Sequence, residues 1–290
     1  MSVIVLGGTG VDTVVPVAGL PVLGADSARP TGPIRDEVSH TGTCVALALR
    51  ALGVPVALAD TVGDDHAGRR VTSAFAEWGI PLHAAPAPAG TRRAVNLMSP
   101  DGRRLSIYDG RAVPGYRFPD AVVTASEARH AHVTIMDWGR HLIPVARSAG
   151  MTVSTDLHDW DGVNPYHLDL ALGSDLVFVS GVQLAAGAPE RILAEGVASR
   201  VLVTHGGEGA TLITKEGAVH HAAADPGAPI VDTNGAGDAF AAAFLAAHLA
   251  GESDEVCLRW ALLAGAFACT REVGPDCFID RETLAARLVR

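Results

Sequence analysis

Between Val231 and Phe240 the chain reads Val-Asp-Thr-Asn-Gly-Ala-Gly-Asp-Ala-Phe. Gly235 and Gly237 bracket the small Ala236, so no bulky side chain shields the backbone there. An Ala-rich helical run, Ala239 to Leu245, follows at once. A Gly-rich turn opening a helix aims several N–H groups at one point, and the helix dipole adds partial positive charge to it. Gly235, Ala236 and Gly237 thus read as an anion hole. Asp238, in the first turn, places a carboxylate within reach of the same point. That pairing suits phosphoryl transfer to a hydroxyl: the amides hold the charge of the moving group, and the carboxylate orients the hydroxyl and takes its proton. The plainer alternative makes Asp238 a cap on a packed helix.

Other residues could complete such a site. Asp12 lies just beyond the first apolar run, Val3 to Leu6, and a carboxylate at a strand's carboxyl end can accept two hydrogen bonds from a diol. Gly42, in Ser39-His40-Thr41-Gly42-Thr43-Cys44, permits close approach of backbone to ligand. Thr204-His205-Gly206-Gly207-Glu208-Gly209 is a Gly-rich connection after a strand. Gly7-Gly8-Thr9-Gly10 lacks the third glycine of a dinucleotide fingerprint, and the following Val11-Asp12-Thr13-Val14-Val15 reads as a strand, which argues against such a site.

The string from Asp232 to Asp238 resembles the D-T-x-G-A-G-D signature of PfkB-type carbohydrate kinases, the ribokinase-like family. The resemblance implies ATP and Mg²⁺ as cofactors, Asp238 as catalytic base, and Gly235, Ala236 and Gly237 as the anion hole. It implies that Asp12, Gly42 and Cys44 bind the sugar, and that Thr204, Gly206, Gly209, Asp232 and Thr233 bind the nucleotide. Two departures stand out. In the first signature, two glycines, three variable residues and an asparagine, Ser39 and His40 replace the glycines and Cys44 the asparagine. Ser180-Gly181-Val182-Gln183 stands where the family has N-x-x-E, so Gln183 would reach the metal only through water and without a charge. Many relatives also hold a monovalent cation beside the anion hole.

The elements that must position these residues follow from hydrophobic period and caps. Strands are expected at Val3–Leu6, Val11–Val15, Val56–Val62, His132–Met136, Met151–Thr155, Leu176–Val179 and Val201–Thr204, with antiparallel additions at Leu212–Thr214 and Val219–Ala222. Helices are expected at Thr41–Leu52, from Asp64-Asp65 to Trp78, after Met136 as far as Ser148, and over 183–196, 236–250, 254–271 and 280–289. Ala94–Met98 and Leu105–Tyr108 form a hairpin turned by Ser99-Pro100-Asp101-Gly102. Repeated βα units give an α/β three-layer sandwich with a mainly parallel central sheet. The chain reads as a single ribokinase-like domain over 1–290, with segments 12–38 and 92–110 as a small β lid. Arg92, Arg93, Arg103, Arg104 and Arg111 ride on that lid, where an arginine suits a carboxylated or phosphorylated substrate.

The bulk properties narrow the function. With 32 acidic against 22 basic residues and a net charge of −10, nucleic acid and anionic membranes are poor partners. Lys215 is the sole lysine. The 4 cysteines, Cys44, Cys257, Cys269 and Cys277, form no C-x-x-C pair. Met1-Ser2-Val3-Ile4 lacks a basic leader, so a cytoplasmic enzyme is expected. The favoured reading is an ATP-dependent kinase acting on a hydroxyl of a small sugar or sugar-like molecule; a homodimer through the lid is compatible with it. Two alternatives stay open. One is a nucleoside kinase of the same fold, for which Trp138, Trp160, Tyr108 and Phe118 are the base-stacking candidates. The other is a catalytically weakened ligand-binding or regulatory relative, suggested by Ser180 and Gln183.

Overall fold

Val3 and Val5 point to one face of a strand, Ile4 and Leu6 to the other, and all four are buried. A strand apolar on both faces belongs in the middle of a sheet covered on both sides. A computed structural model, which describes residues 2–21, 27–100, 103–111 and 113–288, has that arrangement. Its strands are β1 (Val3–Leu6), β2 (Gly10–Pro16), β3 (Arg35–Ser39), β4 (Val56–Val62), β5 (Leu82–Pro86), β6 (Arg93–Met98), β7 (Arg104–Asp109), β8 (His130–Val133), β9 (Thr152–Asp156), β10 (Leu176–Ser180), β11 (Arg200–Thr204), β12 (Ala210–Thr214) and β13 (Gly217–His221). Its α-helices are α1 (Thr41–Ala51), α2 (His66–Trp78), α3 (Ala121–Thr124), α4 (Leu142–Ser148), α5 (Leu168–Gly173), α6 (Ala188–Glu195), α7 (Ala236–Leu249), α8 (Asp254–Ala268) and α9 (Arg281–Leu288).

Nine strands form the central sheet in the order β13-β12-β11-β10-β9-β8-β1-β4-β5, with every neighbouring pair parallel except β11–β12 and β12–β13, because β12 runs against the rest. Val3, Val5, Leu176 and Phe178 face a core shared with α1, α2, α7 and α8. Ile4, Leu6, Val133, Val153 and Val177 face a second core with α4, α5 and α6. These are the three layers. The chain leaves β1 toward β4 on one side and β8 on the other. Ligands of open α/β sheets bind outside the carboxyl ends of the strands at such a switch point.

The second sheet, β3-β2-β6-β7, is the lid. Strands β2 and β6 run parallel; β3 and β7 add antiparallel edges. Asp12, Ala94, Asn96, Ser106 and Tyr108 share the face toward the central sheet, by the register Asp12↔Ala94, Asn96↔Ser106 and Ala94↔Tyr108. Val95 and Ile107, paired across strands, lie on the outer face. Residues 22–26 of the first lid segment and Asp101 and Gly102 of the expected turn lie outside the described residues.

Local chemistry sets several boundaries as expected. The Asp65 carboxylate caps α2 by accepting from Gly68 N at 2.7 Å, and Gly79 ends it with φ 67°. Other boundaries differ. Strand β8 spans His130–Val133 rather than His132–Met136, because its partner β1 ends at Leu6 in register with Val133. The helix expected over 183–196 begins only at Ala188, after Gly187 at φ 82°, with Pro189 in the first turn where no amide is needed. The helix expected to reach 271 ends at Ala268, and the C-terminal one spans Arg281–Leu288, with Val289 outside the described residues.

Candidate active site

Helix α7 has 14 residues and is buried almost all round from Ala239 to Ala247, which fixes where its N-terminus points. Gly235, at φ 78°, makes the left-handed turn into it. The Ala236 amide reaches Thr233 O at a long 3.4 Å. The Gly235, Gly237 and Asp238 amides donate to no acceptor among the described residues. The free donors at this helix start are therefore those of Gly235, Gly237 and Asp238, with Ala236 only weakly engaged, and a cluster of such donors can bind an anion.

Asp238 is partly buried, and burial pushes its carboxyl up to about 6, against the opposing hydrogen bond from Thr41. Thr41 Oγ1 donates to Asp238 Oδ1 at 2.5 Å. The Asp156 charge raises the same carboxyl, while His158 and Arg104 lower it. A carboxylate whose pKa lies near neutrality is matched to taking a proton from a hydroxyl.

Asp12 lies in β2 on the inner face of the lid, 5% exposed. Burial alone would raise its carboxyl; the His40 imidazole, Ser39 and Asn96 outweigh that and hold it below the usual value. Asn96 Nδ2 donates to Asp12 Oδ2 at 3.3 Å, and Ser106 Oγ donates to Asn96 Oδ1 at 2.6 Å, so a chain across β7, β6 and β2 orients the carboxylate. Residues 40 and 41 hold the two carboxylates between them: His40 Nε2 lies 3.0 Å from Asp12 Oδ1, and Thr41 is bonded to Asp238. His40 has φ 75° and ψ 162°, a glycine-type conformation that costs a side-chain-bearing residue about 1–3 kcal/mol.

The remaining expected residues fall around this centre in different ways. Gly42 is needed by the fold: a Cβ there would lie 1.8 Å from Gly7 O, so α1 packs directly on the turn after β1. Cys44 is buried beneath Gly235, with its sulfur 3.7 Å from Ser39 Oγ, and burial raises its thiol well above the ordinary value. Asp232 accepts from Asn234 N at 2.8 Å and Val273 N at 3.4 Å, which braces the loop ahead of α7. Thr233 is exposed beside it. Thr204 ends β11 and its hydroxyl bonds no other described residue, while Gly206 has open space at its Cβ position. Gly209 is required by a close approach of backbone, since a Cβ would lie 2.0 Å from His221 O. Gln183 Nε2 donates to Asp159 O, leaving its Oε1 for water or a hydrated ion.

The lid arginines have distinct partners. Arg92 is buried against Asp60, with Nη2 2.5 Å from Oδ1, and Asp60 Oδ2 accepts from Thr9 N at 2.8 Å. This ion pair sits where the chain passes between central sheet and lid. Arg104 donates to Asn234 Oδ1, so β7 reaches the turn that opens α7. Arg93 donates to Thr13 at 3.4 Å, and Arg111 pairs with Asp109 at 2.8 Å. Sequence reasoning did not single out Thr41, Asn96 or Asn234; their signal lies in contacts between distant segments. Trp138, Trp160 and Phe118 are at most 7% exposed and belong to the core, which leaves Tyr108, 68% exposed on the lid, as a ring open to a ligand.

The model of the pfkB family of carbohydrate kinases matches residues 41–278. The chain belongs to that family. The acarbose 7(IV)-phosphotransferase of Actinoplanes sp. (strain ATCC 31044 / CBS 674.73 / SE50/110) is 43% identical over 98% of this chain and 97% of its own length. The ATP-dependent ribose-1-phosphate kinase of Halopiger xanaduensis is 32% identical over 79% of each chain. The solved structure of a microbiome-derived acarbose kinase superposes with a TM-score of 0.92 at 41% identity, covering 100% of this chain and 99% of that one. As a pfkB-family kinase, the chain is an ATP-dependent phosphotransferase acting on a sugar hydroxyl, built on the ribokinase-like fold with a lid. Among the described residues no helix is long and apolar enough to cross a membrane.

Proposed function

We propose that this kinase transfers the γ-phosphoryl group of ATP to a hydroxyl of a neutral sugar-like acceptor of the acarbose type. The observation that carries the proposal is the start of α7, where a carboxyl raised to about 6 stands beside amides without an internal acceptor. Asp12 grips the acceptor's hydroxyls. The Asp238 carboxylate takes the proton of the attacking hydroxyl as its oxygen forms a bond to Pγ. The bond from Pγ to the bridging oxygen breaks, and ADP leaves with that electron pair. The Gly235, Gly237 and Asp238 amides stabilise the charge on the transferring group. Thr204 and Gly206 seat the nucleotide; Asp232 and Gly209 hold the loops that frame it.

Two carboxylates in one pocket favour a neutral acceptor over a phosphorylated one. Similarity to the Actinoplanes phosphotransferase along nearly the whole chain supports acarbose as the acceptor. Three of the four base-stacking candidates lie in the core, which weighs against a nucleoside.

Mg²⁺ fits this site as an ion carried by ATP. Among the described residues no three His, Cys, Asp or Glu side chains group as a metal cage. Mg²⁺ commonly rides on substrate phosphates with several waters, where it neutralises their charge, and Gln183 Oε1 is the candidate partner of one such water. A monovalent cation beside the anion hole would act on the same charge. On the outer lid face Val95, Leu105 and Ile107 are 36%, 48% and 56% exposed, an apolar strip that supports a lid-to-lid homodimer. The whole chain then works as one unit in the cytoplasm, where ATP is supplied.

The test is Mg²⁺-dependent ATP consumption with acarbose, ribose, ribose 1-phosphate and inosine, with and without K⁺. Acarbose should give the highest kcat/KM. Preference for inosine or ribose 1-phosphate would contradict the acceptor assignment, and turnover with none would contradict the kinase reading.

A further inference from the structure

His40 stands where the family's first signature has a glycine, in a backbone conformation that glycine adopts freely and other residues do not. The strained conformation packs its ring against β2: a Cβ at Gly10 would lie 2.7 Å from His40 Nε2. Nε2 and Asp12 Oδ1 are 3.0 Å apart, yet neither has a partner in hydrogen-bond geometry, and both are buried. A buried donor and acceptor left side by side, out of line with each other, are an anomaly in a protein interior. The other Asp12 oxygen is already held by Asn96. Tyr108, on the same lid face, has its ring centroid 6.5 Å from that of His40.

We infer that His40 is a specificity-determining residue for the acceptor: one sugar hydroxyl bridges the pair, accepting from His40 Nε2–H and donating to Asp12 Oδ1. A hydroxyl both donates and accepts at one atom, so it satisfies both orphans at once. An ammonium, which only donates, or an ionised phosphate oxygen, which only accepts, would leave one of the two unmatched. Tyr108 supplies an apolar wall for the adjacent ring carbons. The inferred acceptor is therefore a polyhydroxylated ring held edge-on between β2 and the start of α1. The inference rests on the kinase reading above for the identity of the pocket.

The test replaces His40 with glycine. His40→Gly relieves the backbone, so the variant should fold and melt at the same temperature as the native protein or higher. It removes one hydrogen bond to the acceptor, so KM for acarbose should rise roughly 10-fold while KM for ATP stays within about two-fold. Independently of turnover, the ring resonances of His40, assigned by their loss in the glycine variant, should shift when acarbose is added to the ¹³C-histidine-labelled native enzyme. A lower melting temperature with acarbose KM unchanged would make His40 a structural residue and overturn the inference. Acarbose binding without a shift of the His40 resonances would overturn it too. If acarbose neither binds nor turns over in the native enzyme while ribose does, the acarbose assignment falls, and the same two readouts taken with ribose decide the role of His40. If none of the acceptors binds, the pocket assignment fails and this inference with it.

Discussion

Thr41 donates its hydroxyl to Asp238 at 2.5 Å, across 197 residues of chain, and joins the N-termini of α1 and α7. A hydroxyl-to-carboxylate bond of that length is charge-assisted and favours the ionised carboxyl. It opposes the burial that raises Asp238 to about 6.

This balance gives a pH dependence with a fixed sign. A base must be ionised, so kcat/KM should rise with pH up to about 6 and level off above it. Thr41→Val removes a bond to the charged form, so the inflection should move up by about 1 pH unit. Rate profiles of both proteins between pH 5 and pH 9, with binding of acceptor checked at each end, measure it. An inflection that stays put or moves down would dissociate Thr41 from the titrating group.

The Arg92–Asp60 pair anchors the passage between sheet and lid, with side chains 7% and 0% exposed. Removing one partner of a buried pair strands the other charge, which costs about 3–5 kcal/mol. Arg92→Met should destabilise the protein by about that amount, and the double variant Arg92→Met with Asp60→Asn should recover much of it. Urea unfolding of the three proteins checks this. Equal stability of the native and Arg92→Met proteins would show that the pair does not anchor the lid.

Gln183→Glu tests the proposal that Gln183 faces a hydrated Mg²⁺. The native amide donates to Asp159 O. A carboxylate there cannot donate and is repelled by that carbonyl, so it should turn toward the phosphates. Less Mg²⁺ should then be needed for half-maximal rate, while ATP binding without metal should weaken. Titrations of rate against Mg²⁺ and calorimetry in chelator measure the two effects. If neither moves, the segment 180–183 does not face the metal.

Features governed by local chemistry are legible in the sequence. Helix α2 shows this: the Asp65 cap and the Gly79 stop are readable from residue types alone. The buried strands β1 and β11, built on the apolar runs Val3–Leu6 and Val201–Val203, are equally readable. Strands β3 and β5, Arg-Asp-Glu-Val-Ser and Leu-His-Ala-Ala-Pro, are not, because their strand preference is weak and pairing with β2 and β4 decides them. At the site, the place of Asp238 in the first turn of α7 follows from the motif, whereas Asp12, expected at the carboxyl end of the first strand, lies inside β2 on the lid. Partners across the site are not legible: Asn96 meets Asp12 across 84 residues, and Arg104 meets Asn234 across 130. Gly42 and Gly209 look like ligand glycines in sequence, but the structure gives each a backbone neighbour that no side chain could clear.

The most direct measurement of the central claim is the single-turnover rate of phosphoryl transfer by Asp238→Asn, with ATP affinity measured on the same protein. Asparagine keeps the shape and can still accept from Thr41, but it takes no proton. The rate should fall by roughly 10²- to 10⁴-fold while ATP affinity changes little. A folded Asp238→Asn enzyme that transfers phosphate at a near-native rate would show that Asp238 is not the base.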